Sequence, residues 1–346
     1  MASRIRLADP TVEPAWDKWI EAHPEGSFFH GSAWATVLRQ SYGHRPAYLV
    51  FGSEGDARAL WPIMELNVGL TGRRGVSLPF TDQCEPLVGT TLKGEELLSA
   101  ALETGRSRRW RYFEFRGGQR LFPAIRPAYS CFTHTLALSR DPDLLLRGCA
   151  GSVRQAIRKA QRAGVLVEHS SAEEAVRVYY SLHCQTRRKH GLPPQPYDFF
   201  RAIHRHVLAP GRGVVITARH QGRAIASAVF FHQGGRAIYK FGASDESAQD
   251  LRGNNLVMWS GIEHFALQGC QDFSFGRTSA SNEGLRRYKL GWGAEESELK
   301  YYKYDFRVNS FVQDVDRAAG WHNHVFRVLP GFLSKWMGAA LYRRLA

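Results

Sequence analysis

The sequence predicts an α/β (α+β) protein of two tandem units, each a mixed sheet flanked by helices. The chain has 346 residues, of which 44% are hydrophobic. That length suggests about two domains, and the apolar fraction is sufficient for a core in each. The same order of strand-like and helix-like segments also occurs twice along the chain. We expect a first domain at residues 1–143, a second at 144–305 and a C-terminal tail at 306–346.

Each half begins with a predicted hairpin, in which two apolar, β-rich runs flank a polar turn that contains a glycine. The first hairpin spans residues 48–64 around Gly55, and the second spans residues 214–230 around Gly222. A third strand, a helix and a fourth strand are predicted to follow in both halves. These segments are 75–80, 94–104 and 111–115 in the first half, and 237–242, 254–268 and 272–275 in the second. Residues 45–116 should therefore superpose on residues 212–276.

The charge balance favours an anionic partner. Lys and Arg number 46 against 32 Asp and Glu, which gives a formal net charge of +14. Nucleic acid, a phosphorylated precursor, a CoA-type cofactor and an acidic membrane surface all fit this excess.

Cysteine and histidine usage narrows the class of protein. The five cysteines are scattered and never form a C-x-x-C pair, which disfavours a disulfide framework or a structural zinc site and favours a reducing compartment. The pairs His204-x-His206 and His322-x-His324 lack further ligands at a matching spacing, so no metal site is predicted. The first ten residues lack the apolar stretch of a signal peptide, and no apolar run approaches the length of a membrane span. We therefore expect a cytoplasmic protein.

A basic helix is predicted between the two halves. Asp143 is a candidate cap in the polar turn before it, and residues 152–164 form the helix, with Ser152 as the candidate N-cap and Gly164 as the stop. Three arginines recur every four residues along this helix: Arg154, Arg158 and Arg162. Three guanidiniums on one face can bind successive phosphates, and the alternative is a solvated helix face.

The densest polar segment follows the last predicted strand. The strand is expected to end at Phe275 and to open into a polar loop, Gly276-Arg277-Thr278. Ligands of open α/β sheets gather beyond the carboxyl ends of strands. A short basic helix with Tyr288 and Lys289 comes next.

These residues carry a family resemblance. The order strand, strand, strand, helix, strand is the core of the N-acetyltransferase (GNAT) fold. Phe-Gly-Arg-Thr at 275–278, Gly284, Tyr288-Lys289 and Trp292-Gly293 resemble the FemAB-like branch of that acyltransferase superfamily. The branch contains the aminoacyltransferases that build peptidoglycan cross-bridges and relatives linked to exopolysaccharide and exosortase systems.

The resemblance implies an acyltransferase that moves an aminoacyl or acyl group to an amine of a peptidoglycan or exopolysaccharide precursor. Lys289, paired with Tyr288, would stabilise the charge that develops on the acyl carbonyl; the alternative is an ordinary surface lysine. Residues expected to bind donor or substrate are Arg277, Thr278, Arg188 and Tyr239, together with the helical arginines Arg154, Arg158 and Arg162. No tightly bound cofactor is implied, and the donor would be aminoacyl-tRNA or acyl-CoA.

Two departures from the family keep other functions open. Arg252-Gly-Asn-Asn255 stands where acetyltransferases place the glycine-rich turn that cradles the CoA pyrophosphate, and only one glycine remains. No coiled-coil arm for tRNA is recognisable either. The alternatives are an acyl-CoA-dependent N- or O-acyltransferase of polysaccharide synthesis and a non-catalytic protein that binds a phosphorylated glycan carrier.

The tail combines basic and aromatic residues and has no acidic residue from Arg317 onward. They include Trp321, Phe326, Arg327, Phe332, Lys335, Trp336, Arg343 and Arg344. This composition fits a segment on the inner face of an anionic plasma membrane or a helix packed back on the protein.

Overall fold

The computed structural model describes residues 5–53, 56–67, 69, 72–89, 93–316 and 331–343. The chain divides into two compact units: unit 1 is Met1–Phe132, Glu298–Arg317 and Leu341–Ala346, and unit 2 is Thr133–Ser297 and Ala318–Ala340. The expected domain limits at residues 143 and 305 fall within unit 2 and within unit 1 respectively, so that division stays a prediction. Predicted features that lie outside the described residues are the pair His322 and His324 and the tail residues Trp321, Phe326, Arg327 and Arg344.

The described elements are runs of strands interrupted by helices. The strands are β1 (Ile5–Ala8), β2 (Arg45–Pro46), β3 (Tyr48–Ser53), β4 (Asp56–Trp61), β5 (Met64–Asn67), β6 (Arg73–Val76), β7 (Leu87–Val88), β8 (Trp110–Arg116), β9 (Tyr129–Ala137), β10 (Leu166–Ser170), β11 (Gly213–His220), β12 (Arg223–Gln233), β13 (Arg236–Ser244), β14 (Asp272–Ser279), β15 (Glu295–Asp305) and β16 (Ser310–Phe311). The helices are α1 (Trp16–Ala22), α2 (Ser32–Tyr42), α3 (Gly94–Ser107), α4 (Pro142–Gly148), α5 (Gly151–Arg162), α6 (Glu173–Lys189), α7 (Tyr197–Ile203), α8 (Gly253–Leu267), α9 (Glu283–Leu290) and α10 (Gly331–Tyr342). The predicted fold class, α/β with mixed sheets flanked by helices, is confirmed.

Unit 1 contains the first predicted hairpin and its continuation. β3 pairs antiparallel with β4, β5 pairs antiparallel with β6, and β6 pairs parallel with β8 across helix α3. Pro62 separates β4 from β5, since proline cannot donate to a ladder. The predicted strand at 75–80 is wrong at its end: Leu78 and Phe80 have φ of 59° and 56°, which is left-handed backbone that a strand does not contain.

Unit 2 contains the second predicted hairpin, β11 and β12, as part of a larger sheet. β10, β11, β12 and β13 are antiparallel neighbours, and β13 pairs parallel with β14 across helix α8. The pairings antiparallel, antiparallel, then parallel across a helix thus occur in both units, in the predicted element order. Superposition of the two halves stays a prediction.

Alternation along β12 builds the two layers of unit 2. Phe230 lies 6.0 Å from Phe265 of α8, measured between ring centroids. The next side chain, Phe231, lies 6.4 Å from Phe241, which in turn contacts Phe199 of α7 at 5.9 Å. Because successive side chains of a strand point to opposite faces, the sheet carries α8 on one face and α7 on the other.

Both predicted caps near the basic helix are wrong in position. The side chain of Asp141, not Asp143, caps α4 and accepts from the backbone N–H groups of Asp143 and Leu144. Helix α5 begins at Gly151 after Ala150, so Ser152 is already helical. Gly164 follows the helix in left-handed backbone, with φ of 74°, as expected of a stop.

Helix α10 of the tail packs against residues of unit 2. A Cβ added at Gly338 of α10 would lie 2.1 Å from the carbonyl oxygen of Pro194, so the helix approaches that backbone closely. Lys335 Nζ lies 5.6 Å from the ring centroid of Tyr180. Membrane contact by the tail stays a prediction; within the described ranges, no helix is both long and apolar enough to cross a bilayer.

Replacing Gly261 with alanine should test the packing of α8 on the sheet. A Cβ at Gly261 would lie 2.7 Å from the buried ring of Phe230, and overpacking costs about 1–3 kcal/mol, which outweighs a helix-propensity gain of about 1 kcal/mol. Gly148→Ala is the matched control, because nothing lies within 4 Å of a Cβ there. Thermal unfolding should give a lower Tm for Gly261→Ala than for Gly148→Ala, and equal values would contradict the close approach.

Candidate active site

Strands β13 and β14 separate part-way along their length. The last residue pair of their parallel ladder is Ile238 with Ser274, although β13 continues to Ser244 and β14 to Ser279. Facing strands that no longer bond one another leave room for a ligand to approach their backbone groups. The predicted Tyr239 lies on β13, the predicted Arg277 and Thr278 lie on β14, and the predicted Lys289 contacts β14.

The predicted loop Gly276-Arg277-Thr278 is wrong, because these residues belong to strand β14. The strand continues since β9 flanks its other edge, where the N–H of Leu138 donates to the carbonyl of Gln271 at 2.7 Å. Gly276 has φ of 70°, a backbone conformation that favours glycine. Thr278 is 2% exposed, and its Oγ1 has no hydrogen-bond partner among the described residues.

Lys289 lies beside this part of β14. Helix α9 begins after Asn282, whose Oδ1 accepts from the N–H of Leu285 at 3.1 Å, and it carries Lys289 near its end. Lys289 is 4% exposed, and its Nζ donates to the carbonyl oxygens of Gly276 and Arg277 at 2.8 and 3.0 Å. The surface-lysine alternative is therefore wrong. An ammonium buried without such partners would cost several kcal/mol, and the two carbonyls offset that cost.

Two predicted aromatic residues lie close to each other. Burial raises the pKa of Tyr239 to about 12, and burial, with the nearby Tyr239, raises the pKa of Tyr288. Both phenols therefore stay protonated at neutral pH and can donate a hydrogen bond. Tyr239 has room because Gly242 lacks a side chain: a Cβ there would lie 1.7 Å from the hydroxyl oxygen.

Sequence reasoning missed a buried histidine near Lys289. The side chain of His134 on β9 is fully buried, and its Nε2 lies 2.9 Å from Glu296 Oε2. Burial, followed by the charge of Lys289, lowers the pKa of His134, and the hydrogen bond to Glu296 opposes that shift. Arg286 binds the same carboxylate with two hydrogen bonds of 2.8 and 2.6 Å.

A cleft of about 650 Å³ contains the predicted Arg188. Its lining residues are Gln185, Thr186, Arg188 and Lys189 at the end of α6 and Ser244, Asp245 and Glu246 after β13. Thr186 holds the two walls together, because its Oγ1 donates to the carbonyl of Ser244 at 3.2 Å and accepts from its N–H at 3.0 Å. Lys189 pairs with Glu246 at 2.9 Å, so the cleft presents both signs of charge.

The three-arginine ridge of α5 is only partly available to a ligand. Arg154 Nη1 donates to the carbonyls of Arg147 and Cys149, which caps the end of α4. Arg158 and Arg162 are exposed. Phosphate binding by all three guanidiniums stays a prediction, although two backbone carbonyls already occupy Nη1 of Arg154.

The turn before α8 allows the helix to pack closely against the sheet. Arg252 has left-handed backbone with φ of 57° and precedes the first helical residue, Gly253. A Cβ at Gly253 would lie 2.9 Å from the side chain of Ile225, so this glycine lets the helix approach the sheet. Asp245 caps the same turn by accepting from the N–H of Ser247 at 2.9 Å.

Comparison with known proteins identifies the fold of the chain. Residues 147–304 match the family model described as an acetyltransferase (GNAT) domain. The structure of FemX is 14% identical, with a TM-score of 0.68 over 88% of this chain and 98% of FemX. No curated protein sequence matches the chain.

Two further solved structures share the fold. A tandem GNAT protein from the clavulanic acid biosynthesis pathway is 14% identical, with a TM-score of 0.56 over 87% of this chain and 98% of that protein. The C-terminal domain of a putative lysylphosphatidylglycerol synthetase from Agrobacterium fabrum is 16% identical, with a TM-score of 0.55 over 82% of this chain and 88% of that domain. At such identities these structures establish the fold alone.

The protein thus has a tandem GNAT fold, and residues 147–304 in its second half match the model of a GNAT domain. The predicted resemblance to the FemAB-like branch is confirmed at the level of the fold. These findings support a transferase of acyl or aminoacyl groups. Enzymes of the GNAT fold use acyl-CoA as a donor rather than as a tightly bound cofactor.

Proposed function

We propose that this protein is a FemAB-like acyltransferase that moves an aminoacyl or acyl group to an amine of a peptidoglycan or exopolysaccharide precursor. The observation that carries the proposal is the buried ammonium of Lys289 beside the point where β13 and β14 separate. The GNAT match over residues 147–304 supports acyl transfer. The resemblance of residues 275–293 to the FemAB-like branch supports the envelope context.

The reaction forms a C–N bond and breaks the bond from the acyl carbon to the donor oxygen or sulfur. When the acceptor amine attacks, negative charge develops on the carbonyl oxygen, and a fixed cation in a water-poor site stabilises that charge. Lys289 supplies the cation in our proposal, while the protonated hydroxyls of Tyr239 and Tyr288 supply hydrogen-bond donors. The amine gives up a proton, and the departing oxygen or sulfur takes one.

Aminoacyl-tRNA is the donor that we favour. The turn before α8 offers a single glycine, which packing against Ile225 already explains. The exposed Arg158 and Arg162, with Lys159 between them, form a basic surface on α5 that suits a polyanion.

Acyl-CoA is the second candidate donor. The observation that supports acyl-CoA is the first turn of α8. Among the described residues, no side chain caps the backbone N–H groups that follow Arg252. A helix N-terminus of this kind can bind phosphate. On either route, we propose that Arg188 contacts the phosphorylated acceptor in its cleft and that the protein works in the cytoplasm, at the inner face of the plasma membrane.

Removing the ammonium of Lys289 should abolish most of the activity. Loss of one oxyanion donor typically lowers kcat by about 100- to 1,000-fold, so Lys289→Ala is expected to transfer a labelled acyl group that much more slowly, with little change in acceptor binding. Lys18→Ala removes an exposed lysine of α1 and serves as the control. Wild-type turnover by Lys289→Ala would refute the proposed role.

Salt dependence should identify the donor. Binding of tRNA releases counterions, so its affinity should fall steeply between two salt concentrations. The double variant Arg158→Ala/Arg162→Ala should flatten that dependence, whereas Arg120→Ala/Arg126→Ala, which removes two exposed arginines of unit 1, should not. Binding of labelled acyl-CoA instead, with a shallow dependence that ignores Arg158 and Arg162, would establish the second candidate. Binding of neither donor would favour a non-catalytic protein.

A further inference from the structure

Lys289 shares its helix with Arg286, the first member of a partly buried network of three side chains, Arg286, Glu296 and His134. Arg286 precedes Lys289 by three residues, so both side chains lie on one side of α9. Arg286 holds Glu296 of β15 with hydrogen bonds of 2.8 and 2.6 Å. Glu296 also contacts His134 Nε2 of β9 at 2.9 Å. These hydrogen bonds therefore connect α9 to residues of two strands, β15 and β9, within unit 2.

The hydrogen bonds among Arg286, Glu296 and His134 define the tautomer of His134. Hydrogen bonding to Arg286 lowers the pKa of Glu296, so the carboxylate is ionised at neutral pH and can only accept. His134 Nε2 must then carry the proton that it donates to Glu296. The other ring nitrogen, Nδ1, is buried and has no hydrogen-bond partner among the described residues. His134 is consequently a neutral imidazole with a buried lone pair.

We propose that His134 and Glu296, with Arg286, form the positioning network for Lys289: they fix the orientation of α9 and keep an uncharged imidazole beside the ammonium. The inference rests on the proposed function of Lys289 in stabilising the oxyanion. His134 is a positioning residue, because its fully buried side chain acts through Lys289 and not on a substrate.

Orientation matters because the contacts of Lys289 are short. Its Nζ lies 2.8 and 3.0 Å from the carbonyl oxygens of Gly276 and Arg277. A displacement of about 1 Å in a catalytic group can cost roughly 100-fold in rate. The two hydrogen bonds from Arg286 to Glu296 resist rotation of α9, and the bond from His134 holds Glu296 in place.

Charge matters because a protonated His134 would repel Lys289. The charged groups that act on His134 are Lys289 and Arg286 from α9 and Glu296 from β15. Burial, then the charge of Lys289, lowers the pKa of His134 below the ordinary histidine value of 6.5. His134 is therefore neutral at pH 7 and gains a proton only as the pH falls through its lowered pKa. Below that pH, a second cation beside Lys289 should disturb its contacts and reduce turnover.

Two substitutions at His134 separate positioning from simple packing. His134→Gln keeps an N–H donor for Glu296 but cannot be protonated, so kcat at pH 7 should stay within about threefold of wild type. The fall in kcat at acidic pH should be smaller than in the wild type, and protonation of the acceptor amine accounts for the part that remains. His134→Leu breaks the network and should lower kcat by about 10- to 100-fold, with the donor KM unchanged. Thermal unfolding of each variant reports on the fold.

A titration without substrate tests the coupling directly. The histidine resonances of the protein, which has 14 histidines, are followed by NMR, and the signal absent from His134→Gln identifies His134. Lys289→Met should raise the pKa of His134, because it removes a nearby positive charge, whereas the control Lys18→Met should leave that pKa unchanged.

The outcomes distinguish this inference from the proposed function. An inactive Lys289→Ala together with an unaltered acidic limb in His134→Gln would overturn the positioning network alone. An unchanged pKa of His134 in Lys289→Met would do the same. An active Lys289→Ala would refute the proposed function itself.

Discussion

The site of unit 2 depends on the contact between the Lys289 ammonium and two backbone carbonyls. Nζ lies 2.8 and 3.0 Å from the oxygens of Gly276 and Arg277, and the side chain is 4% exposed. A buried cation is tolerated only where oxygen atoms replace water. The backbone of β14 supplies those oxygens, and its left-handed φ of 70° at Gly276 is a conformation that few other residues adopt readily. A side chain at that position would therefore affect the ammonium as well as the strand.

The sheet and the helices place this contact in a position suited to acyl transfer. Because β13 and β14 bond only as far as Ile238 and Ser274, the later part of each strand faces a gap rather than its neighbour. Helix α9 brings Lys289 to one side of that gap, and Tyr239 on β13 lies near Tyr288. In our proposal, the ammonium of Lys289 and the protonated phenols of Tyr239 and Tyr288 stabilise the negative charge that develops on a ligand in this gap.

The sequence predicted the elements that depend on neighbouring residues and missed the contacts between residues that are remote in sequence. The second hairpin and helix α8 follow from apolar periodicity and turn glycines, and the motif around Lys289 is contiguous. Strand β14 was predicted too short because its partner, β9, is remote in sequence and gives no local signal. His134 and Glu296 escaped prediction for the same reason, since 162 positions separate them and neither stands in a motif. Arg154 was assigned to a ligand because spacing alone does not reveal that carbonyls of α4 bind it.

The central claim is that unit 2 binds the acyl donor where β13 and β14 separate, with its carbonyl oxygen on Lys289. A crystal structure with a non-reactive donor analogue, an amide-linked aminoacyl-adenosine or a CoA thioether ketone, tests it most directly. The account predicts the acyl oxygen about 3 Å from Lys289 Nζ, with the acyl group between the two strands. An analogue bound in unit 1, or bound in unit 2 with its acyl oxygen far from Lys289, would contradict the account.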